Sequence, residues 1–209
     1  MYQPNHFAEN REEQLHALMR DHPFATMIFV QEEYPEVNHL PLQLSEDGKY
    51  LHGHLAKANP LCAQEFDKDS RILLVFHGPH AYITPSWYPS KKISEKVVPT
   101  WNYAVVHVDG RPKWIKDSSS LLQLLSTLTD HHEATRQTAW KISDAPSDYI
   151  DKMLEAIVGI EIEITRISGK FKLSQNRNTE DRNAVIEHLS KGDESNQVLA
   201  NLSQSIQYK

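Results

Sequence analysis

Residues 52–60 read HGHLAKANP and join a predicted strand to a predicted helix through a polar, positively charged corner. Asn59 followed by Pro60 is typical of a helix start, as N-cap and first helical residue, and predicts a short helix over residues 61–66. Lys57 therefore lies beside the unpaired N–H groups of a helix start, an arrangement that suits a phosphate group. The alternative is an ordinary strand-to-helix junction with a solvated lysine, which is commoner among proteins.

The patterns around this corner mark nine candidate strand segments, which we count as about seven strands, and four or five helices. Apolar runs and period-two alternation predict strands over residues 24–30, 37–44, 50–55, 71–76, 80–84, 100–108, 111–116, 160–167 and 170–174, with turns at 47–48, 77–79 and 109–110. Apolar spacing and N-cap residues predict helices over 10–21, 118–132, 147–157, 180–189 and 195–209. Because the strand patterns concentrate between residues 24 and 116, an antiparallel barrel decorated by helices fits better than alternating βαβ units.

Length and composition indicate a globular protein. The 209 residues are 39% hydrophobic and 24% charged, which predicts one domain over residues 1–190 with a helical tail over 191–209. No apolar run is long enough for a membrane span, and the first residues lack the apolar region of a signal peptide. Cys62 is the single cysteine, which fits a reducing cytoplasm and a packing role for its side chain. The net charge of −6 disfavours non-specific nucleic-acid binding.

The histidines allow a metal hypothesis, which the sequence does not favour. Candidate ligands for a divalent ion are His39, His52, His54, His77 and His107. Acidic partners at a known metal-site spacing are missing from the sequence, so we interpret these imidazoles as hydrogen-bonding groups and predict no metal. The sequence also contains no Gly-x-Ser-x-Gly, Gly-x-Gly-x-x-Gly or Walker motif, so a bound nucleotide would be held by other means.

A second informative segment interleaves aromatic residues with lysines. It contains Trp87-Tyr88 and Trp101-Asn102-Tyr103, with Lys91, Lys92 and Lys96 between them. Such a segment suits stacking on bases or on a flavin ring. The alternative is that Trp101 and Tyr103 form one core face of a strand and the lysines are solvated. Residues 170–177, KFKLSQNR, again concentrate hydrogen-bond donors at a strand end.

Taken together, these motifs resemble those of the PaiB-like proteins, from residue 1 to about 190. The resemblance rests on Met1-Tyr2-x-Pro4-x-x-Phe7, His39-Leu40-Pro41, residues 53–60, Phe76-x-Gly78-Pro79-x-x-Tyr82-Ile83-x-Pro85-Ser86-Trp87-Tyr88, residues 99–103 and residues 170–176. It implies an FMN-binding split β-barrel related to pyridoxine 5′-phosphate oxidase, of the α+β or mainly β class, antiparallel and Greek-key-like with peripheral helices. It also implies a cytoplasmic homodimer with the flavin at the subunit interface.

The resemblance further implies a function and a set of cofactor-binding residues. The function is negative transcriptional regulation, of sporulation and degradative-enzyme genes in bacilli; the alternative is a flavin-dependent oxidoreductase with an unknown small substrate, so enzymatic activity stays open. DNA is a possible partner that the charge does not support. Lys57, where the family often has arginine, would bind the FMN phosphate. The other implied cofactor-binding residues are Asn38, His39, Leu40, Pro41, His54, Ala56 and Asn59 from one subunit, and Trp87, Trp101, Lys172 and Gln175 from its partner.

Overall fold

The computed structural model describes residues 1–31 and 34–206, which form an antiparallel sheet with helices around it. Within these residues the strands are β1 (Ala8–Glu9), β2 (Phe24–Gln31), β3 (Tyr34–Pro41), β4 (Gln43–Leu44), β5 (Tyr50–Ala56), β6 (Ile72–Ile83), β7 (Thr100–Ile115) and β8 (Ile157–Lys172). The α-helices are α1 (Glu12–Asp21), α2 (Lys91–Ser94), α3 (Ser118–Glu133), α4 (Ser147–Glu155), α5 (Thr179–Ser190) and α6 (Glu194–Ser205). No helix of the described residues is long and apolar enough to cross a membrane.

The strand order along the sheet is β3-β2-β6-β7-β8-β5-β4, and β1 pairs with β8. Only Leu42 separates β3 from β4 in the chain, although these two strands lie at opposite ends of the order. The sheet must therefore curl until its two edges approach each other at this residue, as in a split barrel. Leu42 is buried, and its backbone N–H donates to the carbonyl oxygen of Pro23 at 2.9 Å. Pro41 ends β3, which is an edge strand, so the missing N–H of the proline leaves no ladder hydrogen bond unmade.

Strand β5 shows the predicted alternation of buried and half-buried residues. Leu51, Gly53 and Leu55 are buried, whereas Tyr50, His52 and His54 are half-buried on the opposite face. The strand is antiparallel to β8, with Gly53 opposite Ile160 and Leu55 opposite Val158. The two faces of this ladder therefore differ in polarity, and both histidines lie on the polar one.

The predicted turns at residues 77–79 and 109–110 are wrong. Gly78 lies inside β6 and Gly110 inside β7, so each glycine is part of a long continuous strand. An added Cβ at Gly110 would collide with the side chain of Ile162. At Gly78 it would lie 3.0 Å from the carbonyl oxygen of Ala104. These glycines permit close approach of a neighbouring strand, which a sequence pattern does not distinguish from a turn.

Two other elements differ in extent from the prediction. The helix expected over residues 61–66 is a single 3₁₀ turn, Pro60–Ala63. The two strands expected over 160–167 and 170–174 form the single strand β8, because Gly169 lies against β1 instead of starting a turn. The predicted helices over 118–132, 147–157 and 180–189 are confirmed as α3, α4 and α5 with shifts of one or two residues.

Contacts divide the chain into two compact units. The first unit contains Met1–Leu18, Phe76–His107 and the described residues from Ser168 onward; the second contains Met19–Val75 and Val108–Ile167. The core of the first unit includes Phe76, Ile83 and Phe171, and α6 adds the buried residues Leu199, Ala200 and Ser203. The core of the second unit includes Leu51, Leu61, Ile160 and Ile162.

Candidate functional site

The corner at the end of β5 is held by a network of short hydrogen bonds in the second unit. The Asn59 side chain accepts from the backbone N–H of Leu61 at 3.0 Å and donates to Asn38 Oδ1 at 2.6 Å. The N-cap prediction for Asn59 is thus confirmed. Ala56 is the last residue of β5, and its carbonyl oxygen accepts from the Asn59 backbone N–H at 2.9 Å. The network brings three of the predicted cofactor-binding residues together.

Lys57 projects from this corner without a partner of its own. Its backbone N–H donates to the Ala156 carbonyl oxygen at 2.8 Å, which fixes the main chain. Its side chain is exposed, and within residues 1–31 and 34–206 no hydrogen bond or ion pair involves its ammonium group. Because the following helix is only one 3₁₀ turn, the ammonium is the main positive charge at the corner, and the helix dipole contributes little.

Edge strand β3 presents three consecutive predicted residues beside the corner. His39 lies opposite Thr26 on β2, and its Nδ1 is 3.3 Å from the Thr26 hydroxyl. Its ring stacks near Phe24, with 6.3 Å between the centroids. Leu40 is buried, and Pro41 ends the strand. An edge strand leaves half of its backbone groups without a strand partner, so this segment has polar atoms available for a planar ligand.

His54 combines burial with an unsatisfied ring nitrogen. Its Nδ1 is buried and has no hydrogen-bond partner among the described residues. Burial lowers the pKa of His54, which keeps the imidazole neutral near pH 7. A buried polar atom without a partner costs free energy, so a ligand that bonds to it is favoured. His54 and Pro41 both line an open cavity of about 290 Å³.

The remaining predicted residues belong to the first unit. Trp87 lies on the 3₁₀ turn Pro85–Trp87 and stacks on His188 of α5, with ring centroids 5.1 Å apart and planes 15° apart. Trp101 is 53% exposed, and its ring lies about 6.0 Å from the rings of both His80 and Tyr82. The alternative that Trp101 and Tyr103 form a core face is wrong, because Asn102 between them is the buried residue.

Lys172 and Gln175 already have partners within the first unit. The Lys172 ammonium donates to Thr100 Oγ1 and to the Trp101 carbonyl oxygen, both at 2.5 Å. Burial, and to a lesser extent the neighbouring positive charges of Lys170 and Arg177, lower the pKa of Lys172. The Gln175 side chain donates to the Phe171 carbonyl oxygen and accepts from the Leu173 N–H, so its amide supports the end of β8.

Sequence reasoning missed an anchor for the aromatic segment. Asp181 on α5 is 2% exposed, and its carboxylate accepts from the Ser90 N–H at 3.0 Å and from the Ser90 hydroxyl at 2.7 Å. Arg177 lies 4.6 Å from the centroid of the Tyr88 ring. These contacts fasten the segment after Trp87 to α5. Ser90 and Asp181 are 91 positions apart in the chain, and neither belongs to a motif that would have indicated their contact.

Neither the cysteine nor the histidines form an evident reactive group. Cys62 is half-buried and its Sγ lies 3.5 Å from the Ala56 carbonyl oxygen. Burial, with the nearby negative charge of Glu36, raises the pKa of Cys62, so its reactive thiolate form is disfavoured. Among residues 1–31 and 34–206, no group of three or more His, Cys, Asp or Glu side chains is arranged to hold a metal ion.

Comparison with known sequences places this architecture in a family. The sequence model of a family described as "Putative FMN-binding domain" matches residues 1–166. The chain belongs to this FMN-binding domain family. One relative is the Bacillus subtilis (strain 168) "Protease synthase and sporulation protein PAI 2". It is 32% identical to this chain over 198 residues, which cover 94% of this chain and 92% of the relative. An uncharacterised Emericella nidulans protein is 34% identical over 226 residues, covering 90% of each chain.

Solved structures show the same fold. The flavocytochrome Anf3 from Azotobacter vinelandii has a TM-score of 0.61 at 17% identity, covering 85% of this chain and 75% of the other. The FAD and heme binding protein from Mycobacterium smegmatis has a TM-score of 0.59 at 17% identity, covering 85% of this chain and 79% of the other. The predicted split β-barrel, the resemblance to the PaiB-like proteins and FMN as the cofactor are confirmed.

The residues at the end of β5 have the chemistry that FMN requires. A phosphate needs a cation and hydrogen-bond donors, and the unengaged Lys57 ammonium lies on a corner of fixed geometry. A flavin ring needs an apolar wall with a few hydrogen-bonding atoms, which Pro41 and the unsatisfied Nδ1 of His54 offer. The structure and the cofactor are therefore compatible at this place.

Proposed function

We propose that the chain binds FMN through residues of the second unit, with its phosphate on Lys57 and its ring along β3. The observation that carries the proposal is the Lys57 ammonium at the Asn59 corner, which has no partner among the described residues. His54, three positions earlier in the chain, has a buried Nδ1 that also lacks a partner among them. His39 to Pro41 would follow the ring edge, and His54 would bond to the ring or the ribityl chain. Asn38 and Asn59 hold each other and keep the corner in place.

We further propose a homodimer in which the partner contributes to each flavin site. The exposed ring of Trp101 supports this arrangement, since a large exposed aromatic is favoured at interfaces. Trp87, Lys172 and Gln175 would approach the flavin from the same subunit as Trp101. Equilibrium sedimentation tests the dimer, and Trp101→Ala should weaken it together with FMN binding. A monomer that binds FMN with full affinity would contradict this part of the proposal.

Bound FMN would supply one- or two-electron transfer, and the residues around it would position it and control protons. His54 would offer a neutral imidazole, because burial lowers its pKa. The exposed Lys57 side chain would bind the phosphate through its ammonium group. The first test is a visible absorption spectrum of the freshly purified protein, followed by FMN titration monitored by fluorescence quenching. Colourless protein that does not quench FMN would overturn the proposal.

The proposed biological role is negative transcriptional regulation by a flavin-binding dimer. It is supported by the 32% identity, across nearly the whole chain, with a Bacillus subtilis protein named for protease synthesis and sporulation. Candidate DNA contacts are the exposed lysines Lys91, Lys92 and Lys96. The test is an electrophoretic mobility shift with DNA from upstream of the chain's own gene, against scrambled DNA of equal length at near-physiological salt.

A triple substitution of these lysines by alanine should reduce the salt dependence of DNA binding. Each phosphate contact contributes a slope of about −0.9 in log affinity against log salt concentration, so the full triple variant changes the slope by at most about 2.7. The control Lys49→Ala, whose ammonium lies 3.8 Å from Asp47, should leave the slope unchanged. Equal affinity for both DNA fragments would contradict specific regulation.

The alternative function is a flavin-dependent oxidoreductase. It is favoured by the open cavity that Pro41 and His54 line, because a small molecule there would lie close to the proposed ring position. The test is oxidation of NADH or NADPH by the FMN-loaded protein, with and without added acceptors, monitored at the absorbance of the reduced nicotinamide. FMN binding without nicotinamide oxidation and with specific DNA binding would favour the regulator.

A further inference from the structure

An open cavity of about 290 Å³ lies between helix α3 and the ends of β3 and β5, all in the second unit. Leu125 and Leu128 form an apolar wall from α3, and Trp140 lies across from them in the segment after the helix. Its volume is slightly below the roughly 300–1,000 Å³ of pockets for drug-sized ligands. The cavity therefore has room for a molecule of one or two rings.

The charge of this cavity is opposite to that of the Lys57 corner. Glu133 at the end of α3 contributes a carboxylate, and its Oε2 accepts from the Trp140 backbone N–H at 3.1 Å. This bond fixes the carboxylate next to the segment that carries the indole ring. No lysine or arginine is among the described residues that line the cavity. The polar side chains of the lining are the carboxylate of Glu133, the imidazoles of His54 and His132 and the hydroxyl of Thr129, so a phosphate or carboxylate ligand would find a negative charge and no lysine or arginine there.

An aromatic face beside a carboxylate is the arrangement that attracts an aromatic or cationic ring. The indole of Trp140 lines the cavity and is 44% exposed, and tryptophan is the most favourable of the aromatic side chains for a cation. Glu133 adds a direct Coulomb attraction for a positive charge. The two leucines remove apolar ligand surface from water, at about 25 cal/mol per Å².

We propose that this cavity is a binding site for a small aromatic ring compound that is neutral or carries one positive charge, and that it rejects anions. The biological role of this site rests on the proposed function, because Pro41 and His54 line the cavity and also belong to the proposed flavin ring site. A ring compound of this kind would therefore be the substrate or the effector that binds beside the flavin in this protein.

The test is isothermal titration calorimetry with three probes of the same ring system and different charge. These are N-methylquinolinium, quinoline and quinoline-2-carboxylate, each titrated at equal ionic strength into the FMN-loaded protein and into protein stripped of FMN. The cation and the neutral ring should bind, and the carboxylate should bind at least tenfold more weakly, about 1.4 kcal/mol. Equal affinities for the three probes, or binding of none of them, would overturn the proposal.

Two pairs of variants connect the binding to this cavity. Glu133→Gln should reduce the discrimination against the carboxylate probe, whereas Asp130→Asn, an exposed carboxylate on the same helix, should keep it. Thr129→Phe should fill the cavity and reduce binding of the cation and the neutral ring at least tenfold. Leu122→Phe, on the exposed side of α3, should not change it. If Thr129→Phe binds the probes as well as the parent does, the probes bind outside the cavity and the proposal is refuted.

FMN titration of every variant separates this inference from the proposed function. If FMN fails to bind to the parent protein, the proposed function is wrong, and the probes still test the cavity in the flavin-free protein. If FMN binds to the parent and to the filled variant alike while no probe binds to either, the cavity proposal alone is wrong. Displacement of FMN by the probes would show that the flavin ring itself occupies the cavity, which also overturns the proposal.

Discussion

Removing the Lys57 ammonium should weaken FMN binding by about tenfold or more. The ammonium is exposed and unengaged in the described structure, so its loss removes an interaction with the phosphate without breaking an internal one. A pair of unit charges at about 4 Å is worth about 1 kcal/mol in bulk water, and a phosphate with nearly two negative charges roughly doubles that. The expected loss for Lys57→Ala is therefore about 1.4–2 kcal/mol, or ten- to thirtyfold in Kd.

The assay is fluorescence quenching of FMN and of riboflavin, which has the same ring and no phosphate. Lys57→Ala should weaken FMN binding and leave riboflavin binding unchanged, and Lys49→Ala, at the other end of the β5 region, should change neither. The backbone N–H bond to Ala156 is retained in the variant, so the fold should be unaffected. An equal loss for both flavins, or full FMN affinity, would refute the assignment of the phosphate to this corner.

Three further predictions concern the scaffold around the site. Asn59→Ala removes the cap on the Leu61 N–H and should lower the free energy of unfolding by about 1 kcal/mol in urea denaturation. Asp181→Ala leaves the N–H and hydroxyl of the half-buried Ser90 without their buried acceptor, and should cost about 1–3 kcal/mol. Burial lowers the pKa of His54 below the roughly 6.5 of an unfolded histidine, so the unfolded chain takes up the proton first. Stability should fall as the pH drops below about 6.5, and His54→Gln should remove part of that decrease.

Each of these predictions has a matched control. Asn59→Asp keeps the acceptor for the N-cap but loses the donation to Asn38 Oδ1, so it should recover part of the stability that Asn59→Ala loses. Ser90→Ala keeps the backbone N–H donor to the carboxylate and should cost less than Asp181→Ala; the reverse order would contradict the anchor. The parent protein, measured over the same pH range, is the reference for His54→Gln. A His54→Gln variant with the full pH dependence of the parent would show that another group causes it.

Local patterns predicted most of the elements near the site. The alternation in β5 identified its two faces, and the Asn-Pro pair identified Asn59 as an N-cap. Gly78 and Gly110 led to wrong turn predictions, because a glycine that permits close approach of a neighbouring strand cannot be distinguished in sequence from one that forms a turn. At Gly110 the cause is the Ile162 side chain, which approaches from a distant part of the chain. The anchor between Ser90 and Asp181 was missed for the same reason.

The sequence by itself determined the identity of the corner, its positive charge and the resemblance that named FMN, because these depend on residues close together in the chain. Only the tertiary structure decided that the helix after the corner is a single 3₁₀ turn, that the Nδ1 of His54 is buried without a partner, and that α3 encloses a cavity with Glu133 and Trp140. Burial and enclosure depend on which distant segments pack together, and no local pattern specifies that packing. HGHLAKANP therefore predicted a phosphate corner, whereas the adjacent cavity with its carboxylate became visible only in the folded chain.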